Sequence, residues 1–520
     1  MALALCFAIA SLQAARAQPP EAPPSPRFEI RRFVVEGNTL LAPETVERIL
    51  SPHTGRERDF GDVQRALEAL QDEYLERGYS AVRVLVPEQD IRAGVVRLEV
   101  IEARVGRVLV EGHRHFGEAQ LLAAVPALRP GESPNARAIG RSLQLANENP
   151  ARKAVVQLRS TEDPRRVDAV LRVTDSAPVR WVLGADDTGN VQTGRYRVGL
   201  GYVDANFGGR DHVLSLQAIT SPEKPADVFV IGAGYRIPFY RLHSALELVA
   251  GYSDVDSGTV QNLFTVTGKG TVLAARWSYV LPRFFSYEHK LVASLDWRDF
   301  HQNVQLVGGG GGLLPDLRLR PLGLGYVGRY SRVGYEANLY VGYVHNLAGG
   351  KDGGQDTFSA LRAGANARYS LLRYGAQASG VVGRDFLLTA SLSGQHTGDA
   401  LVPQEQFGMG GAASVRGFFE REASADTGHR ASLELLFPEM GQHMGAGWRA
   451  RFAAFVDAAR GRDNVPVRSD KHGLASVGIG LRLGHGEQFS ARLDWAHVVN
   501  GTAGRPAGYD RLHFSLAYSF

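Results

Sequence analysis

The sequence predicts two small α+β modules in tandem, followed by an all-β barrel of about 16 antiparallel strands that crosses a membrane. Three observations carry that expectation. Residues 28–103 and 104–176 repeat one order of elements: strand, helix, helix, strand, strand. From residue 177 onward, short runs alternate apolar with small or polar residues between glycine-rich turns, and no long helical pattern returns. Beyond the N-terminus there is no run of 18 apolar residues, so only strands offer a way across a bilayer.

The chain begins with an apolar core, Ala2–Leu12, and a small-x-small site, Ala15-Arg16-Ala17, so residues 1–17 read as a secretory signal. No Lys or Arg precedes the core, which departs from the usual pattern. Cys6 is the only cysteine, and Leu5 before it is too large for a lipid-attachment site. The expected mature chain therefore has no disulfide, no thiolate metal site and no cysteine nucleophile. Residues 18–27 form a Pro-rich extended leader. A net charge of +4 over 520 residues argues against nucleic acid as a partner.

In the first module, Arg27–Asn38 reads as a strand ending in a Gly-Asn turn and Ala42–Leu50 as a helix with Pro43 near its start. Asp59 is a candidate N-cap for a second helix whose apolar face carries Phe60, Val63, Leu67, Leu70 and Tyr74, and Gly78 can close it. Ala81–Gln89, with Val84 and Val86, and Gly94–Val105 read as paired strands. The second module repeats this with strand Arg104–Phe116, helices Glu118–Val125 and Asn135–Asn147, and strands Lys153–Asp163 and Val167–Asp175. Val35–Asn38 and Val110–His113 occupy matching places, the mark of an internal repeat.

In the third region, Tyr196, Val198, Leu200 and Tyr202 share one face, with Arg195, Arg197, Gly199 and Gly201 on the other. Val477–Gly484 repeats the pattern. The chain ends on it: Leu512, Phe514, Leu516, Tyr518 and Phe520 face one way, and Tyr518 and Phe520 form a C-terminal barrel signal. An opposite face of Arg, Gly, His and Ser suits a wet lumen, and tyrosines near strand ends suit interfacial girdles against outer-membrane lipids. A strand running to the last residue must pair with the first to avoid a bare edge. At roughly 20 residues per strand and connection, 16 to 18 strands fit.

No enzyme constellation rises above background, and no cofactor or metal site is expected. Gly323–Gly328 matches a dinucleotide fingerprint in letters, but strand sequence follows it. Gly308–Gly312 lacks the Lys-Ser or Lys-Thr of a phosphate loop and reads as an outer loop. His113 and His115 share a strand face without further ligands, and Asp186-Asp187 reads as a solvated turn. Two features remain. One is Val415-Arg416-Gly417-Phe418 in a connection rich in glycine, including Gly410 and Gly411; the other is Asp457 within strand Phe452–Gly461, on the face of Ala453 and Phe455.

Together these stretches resemble the outer-membrane transporters of two-partner secretion, of the haemolysin-activator and filamentous-haemagglutinin-transporter type. Tyr74–Gly112 resembles the first periplasmic POTRA module running into the second. Leu143–Arg159 resembles the second module's Asn-x-x-Pro segment, and Asp186–Tyr202 the first barrel hairpin. Glu405–Phe418 and Phe455–Gly461 are similar to the two most diagnostic barrel motifs. The resemblance implies POTRA 1 at 28–103, POTRA 2 at 104–176 and a barrel at 177–520. It implies an inward-folded loop around 406–420 whose Arg416 meets Asp457 on the inner wall. It also implies translocation without catalysis: the modules capture a large secreted β-helical exoprotein by strand addition beside the helix Phe60–Tyr74, with Phe60, Val63, Leu67, Tyr74, Val84 and Val86 as the expected contacts, and the barrel passes it outward, activating it in some members. Barrel-assembly machinery is then a partner during biogenesis. Members often carry an N-terminal plug helix; the prolines of residues 18–27 argue against one here, which implies a leakier pore or gating by the Arg416 loop alone. The alternative reading is a factor that inserts other outer-membrane proteins, which usually carries more modules than two.

Overall fold

The computed structural model describes residues 27–91, 93–191, 193–260, 264–301, 315–465 and 471–520. The expected signal segment, the leader through residue 26 and Gly308–Gly312 lie outside them. The chain divides into two compact units, one ending at Arg104 and including Glu162–Arg166, the other containing Val105–Thr161 and Val167–Phe520.

In the first unit, helices Pro43–Leu50 and Phe60–Glu76 cover a three-stranded sheet in the order Arg32–Glu36, Val95–Glu102, Val82–Leu85. The first pair is parallel and the second antiparallel. Asp59 caps the long helix reciprocally: its side chain accepts from Asp62 N, and the Asp62 side chain accepts from Asp59 N. A hydrogen bond from Arg65 and one from the Asp59 amide hold the Asp62 carboxyl below the usual carboxylate range. At the other end Gly78 sits at φ +93°, and Tyr79 N returns to Tyr74 O at 2.8 Å. The expected first strand is split: Phe28–Ile30 turns away to pair with Gly55–Arg58, whose sequence Gly-Arg-Glu-Arg carries no apolar alternation to announce it.

This packing corrects part of the expected partner surface. Val63 is buried with Ile30 and Val96, and Tyr74 and Val84 are buried in the module's own core with Leu41, Leu70 and Leu98, because the helix face that carries Val63 and Tyr74 is the one laid on the strands. Leu67 is half-buried against the same cluster. Val86 lies beyond the end of strand Val82–Leu85; it and Phe60 remain exposed.

The second module has helices Glu118–Ala123 and Ala136–Ala146 with a sheet in the order Arg104–Glu111, Arg166–Asp175, Arg152–Ser160. His113 falls in the turn after its strand, with Nδ1 2.9 Å from Phe116 O, so the expected histidine face does not form. The Asn-x-x-Pro segment joins this module to the barrel. Asn147 ties the helix end to the next strand through both backbone groups of Ala154, at 3.0 and 2.7 Å. Asn149 donates to Ala205 O at 2.7 Å and to Asp211 Oδ1 at 2.8 Å, while buried Arg152 pairs with Asp211 beside Tyr240. Glu148 meets Arg236 and Lys290. Ions this buried persist only where each has its partner, so the joint has one favoured geometry.

Among the described residues the barrel has sixteen spanning strands, each antiparallel to its neighbours. The eighth is interrupted at Arg320: Leu317–Leu319 pairs with Arg298–Phe300, and Pro321–Arg332 with Tyr287–Leu295. Gly323–Gly328 lies on this strand, and a turn and a further strand, Tyr335–Asn346, follow it where a dinucleotide fingerprint would open a helix. The last strand, Asp510–Ser519, closes on the first, Val179–Asp186, from Ser515↔Asp186 to Ser519↔Val182. Beyond that ladder, Trp181 and Phe520 exchange backbone hydrogen bonds at 2.9 and 3.0 Å. Closure leaves no strand edge, which a bilayer requires. Val198, Leu200, Leu512, Leu516, Tyr518 and Phe520 point outward, while Arg197 and His513 are buried inside. Turns on the side of the modules are short, as at Gly208–Asp211, and the longest connections, 347–369 and 397–426, lie at the opposite mouth.

Candidate functional site

The connection 397–426 does not stay outside the barrel. Phe407–Met409 and Ala423–Ala425 pair as a short antiparallel ladder, and the stretch between them forms a tip inside the lumen. Val415 and Phe418 are fully buried with Met409 and Ala425 against the inward-facing Ala459, Leu474 and Val498. Left-handed backbone turns the chain back at Gly410, φ +97°, where an added Cβ would lie 2.8 Å from Phe419 O. Gly417, φ +96°, approaches the wall so closely that a Cβ would meet Val498 at 3.0 Å. Gly411 N donates to Val415 O at 3.1 Å, closing the tip.

Arg416 is thereby held against the inner wall. Its Nε donates to Asp457 Oδ2 at 2.6 Å, its Nη2 to Asp457 Oδ1 at 2.8 Å, and its own backbone amide to Asp457 Oδ2 at 3.1 Å. Nη1 reaches Glu434 Oε2 at 2.6 Å. The guanidinium lies 3.3 Å from the ring centre of Phe455, and Ser432 Oγ donates to Asp457 Oδ1 at 2.6 Å. Arg416 is 2% exposed and Asp457 0%. The fork of two parallel bonds to one carboxylate is the geometry in which a buried pair offsets its desolvation. Alternation explains the wall: Ala453, Phe455, Asp457 and Ala459 face in, while Phe452 and Val456 face lipid.

Sequence reasoning missed the rest of this charge cluster. Arg482 joins Glu434 at 2.9 Å and Asp494 at 2.7 Å, and Arg492 joins Asp494. Three arginines thus face three carboxylates. The signal was present, since Arg430, Ser432 and Glu434 alternate with outward Leu433, but period two alone names many inward positions. The neighbouring small residues Ala412 and Ala413 line an open cavity of about 660 Å³ shared with Asn338, Tyr340, Gln377 and Arg430. Asp187 is no solvated turn, being 5% exposed and 2.8 Å from His513 Nδ1.

The base of the loop is anchored separately. Buried Glu405 takes Arg298 at 2.7 Å and Arg373 at 2.9 Å. Asp426 pairs with Arg362 and accepts Leu401 N at 3.1 Å. A second outer connection packs beside it. Its helix Gln355–Leu361 buries Phe358 with Tyr369, Leu401 and Val402 against inward-facing Val230, Val249, Val272 and Phe300.

The sequence profile of the haemolysin secretion/activation proteins ShlB/FhaC/HecB matches residues 167–483, more than half the chain, and that of the ShlB-type POTRA domain matches 28–103. The chain belongs to this secretion family. As a member it is an outer-membrane transporter that secretes a partner exoprotein, with its POTRA region in the periplasm. The outer membrane transporter CdiB of Escherichia coli O6:K15:H31 is 26% identical over 79% of this chain and 69% of its own length. The heme/hemopexin transporter HuxB of Haemophilus influenzae Rd is 19% identical over 78% and 72%. In fold, this transporter is similar to CdiB from Escherichia coli, with a TM-score of 0.79 at 19% identity over 98% and 93% of the two chains. BamA from Haemophilus ducreyi lacking POTRA domains 1–3 reaches 0.50 at 15% identity over 95% and 100%. The family match favours secretion over the insertion of other membrane proteins.

Proposed function

We propose that the partner is a large β-helical exoprotein, received in extended form by the periplasmic modules and passed through the barrel, and that the Arg416–Asp457 pair holds the inward loop in the position transport requires. Strand Arg32–Glu36 lies at one edge of the first module's sheet and Val82–Leu85 at the other; exposed Val86 follows the second of these, and exposed Phe60 begins the long helix. An extended chain adding to a sheet edge gains backbone hydrogen bonds without needing a fixed sequence. No chemical step is required of the transporter: a β-helix that folds outside cannot slip back, and its folding supplies direction. Cofactors and catalytic residues have no part in this reading, outer-membrane lipid meets the outward faces, and barrel-assembly machinery inserts the chain.

The observation that carries the loop's role is the convergence of Asp457, Glu434, Ser432 and the Phe455 ring on one guanidinium. A loop merely filling space would need no such set. The test is secretion of the partner by Arg416→Ala at matched barrel levels. Export falls if the reading is right. Export at the normal rate removes it.

A further inference from the structure

The loop tip is also held at a second place, by residues that no part of the transport reading uses. His513 lies on the inner face of the last strand and is 2% exposed; Asp187 directly follows the first strand and is 5% exposed. The Gly417 amide donates to His513 Nε2 at 2.9 Å. That nitrogen must therefore be the acceptor, which places the ring hydrogen on Nδ1, 2.8 Å from Asp187 Oδ2. Asp187 is fixed in turn by Arg511 Nη2 at 3.0 Å and by the Phe514 amide at 3.1 Å. One residue pair further along the tip, the Phe419 ring is flanked by the guanidinium groups of Arg511 at 3.8 Å and Arg505 at 4.0 Å, and Arg505 meets Glu422 at 2.6 Å.

We infer that Asp187 and His513 are positioning residues that form a second latch on the inward loop, and that this latch ties the loop to the seam where the barrel closes. The inference rests on the reading that a held loop is needed for transport. Asp187 sets the imidazole tautomer and direction; the imidazole grips backbone, not side chain, so it fixes the tip's position while Arg416 fixes its rotation against the wall. Because His513 comes from the last strand and Asp187 from the end of the first, the grip on the tip is oriented by a contact that bridges the seam. A barrel strand needs no buried histidine aimed at a loop amide.

The test uses the full chain in two assays. Potassium chloride conductance in planar bilayers reports opening, and external trypsin reports release of the tip through cleavage after Arg416 or Arg421. A heat-shift on electrophoresis verifies that the barrel is folded. Loss of one to two hydrogen bonds shifts an equilibrium by roughly five- to thirtyfold, so His513→Ala and the isosteric Asp187→Asn raise open events by that factor and expose the tip to trypsin. His513→Gln, which keeps an acceptor for the Gly417 amide, restores most of the protection. A folded His513→Ala that conducts and resists trypsin as the wild type does overturns the inference; should that variant not fold, the same silence in Asp187→Asn overturns it. Arg416→Ala run alongside separates the two readings. Tip release there with silence at His513 removes the latch and leaves the wall pair standing, and the reverse removes the wall pair and leaves the latch.

Discussion

Two connections reach the outer half of the same barrel, and both pack apolar residues against its wall, but only one is fixed at its tip by buried charge. Connection 347–369 is seated by hydrocarbon: Phe358, Ala365, Ala367 and Tyr369 lie against Val230, Val249, Val272 and Phe300. Connection 397–426 has its own apolar cluster of Met409, Val415 and Phe418 and adds buried charge to it, with Glu405 and Asp426 at its base, the latter paired with Arg362 of the first connection, and Arg416 at its tip. Apolar burial is non-directional and tolerates small shifts. A buried ion with a fork of hydrogen bonds tolerates almost none, and each group left behind is costly. The first connection therefore reads as a cover of the mouth and the second as a part with defined positions. Two connections, and not the Arg416 loop alone, pack against the inner wall in the barrel's outer half.

The sharpest way to break this contrast is at the tip. Asp457→Ala leaves Arg416 buried without its fork, a loss of about 3–5 kcal/mol in the held position, and partner secretion measured in the medium should fall to background while barrel levels persist. Phe358→Ala should cost about 3 kcal/mol by truncating a fully buried ring. Its expected phenotype is different: higher open conductance in bilayers, with secretion largely kept. If both substitutions abolish secretion, the two connections act as one unit and the contrast fails. Glu405→Gln removes a charge shared by Arg298 and Arg373, worth about 2 kcal/mol for charge-assisted bonds, and should loosen the base of the loop, seen as faster amide exchange across 406–426. Ser432→Ala, which removes one neutral donor to Asp457, should cost about 1 kcal/mol and lower the secretion rate only slightly. A Ser432→Ala effect as large as that of Asp457→Ala would mean that the network is not apportioned as drawn.

Much of the barrel was legible because a membrane imposes a period of two and forbids loose edges. The outward faces at Val198–Leu200 and Leu512–Phe520, and the pairing of last strand with first, follow from that rule alone. Helix ends in the first module were legible for a local reason, since Asp59 and Gly78 act on backbone groups within one turn. The strand Gly55–Arg58 was not, because its pairing with Phe28–Ile30 leaves no periodic trace. The spacing that marks Val63, Tyr74 and Val84 says that a face is covered, not what covers it, and it is the module's own core that does.

At the site, the sequence by itself determined that one arginine stands in a glycine-rich turn and one aspartate on an inward strand face. Those are properties of single residues and of local periodicity. Only the tertiary structure decided that Glu434, Asp494, Arg482 and Arg492 join them, that Ala412 and Ala413 face an open cavity, and that Asp187 meets His513 across the seam. The physical reason is distance along the chain. Asp187 and His513 are separated by 326 positions, and closing a barrel is what brings its first and last strands together. No local pattern encodes which inward polar residue will find which, because that depends on the register of every strand between them.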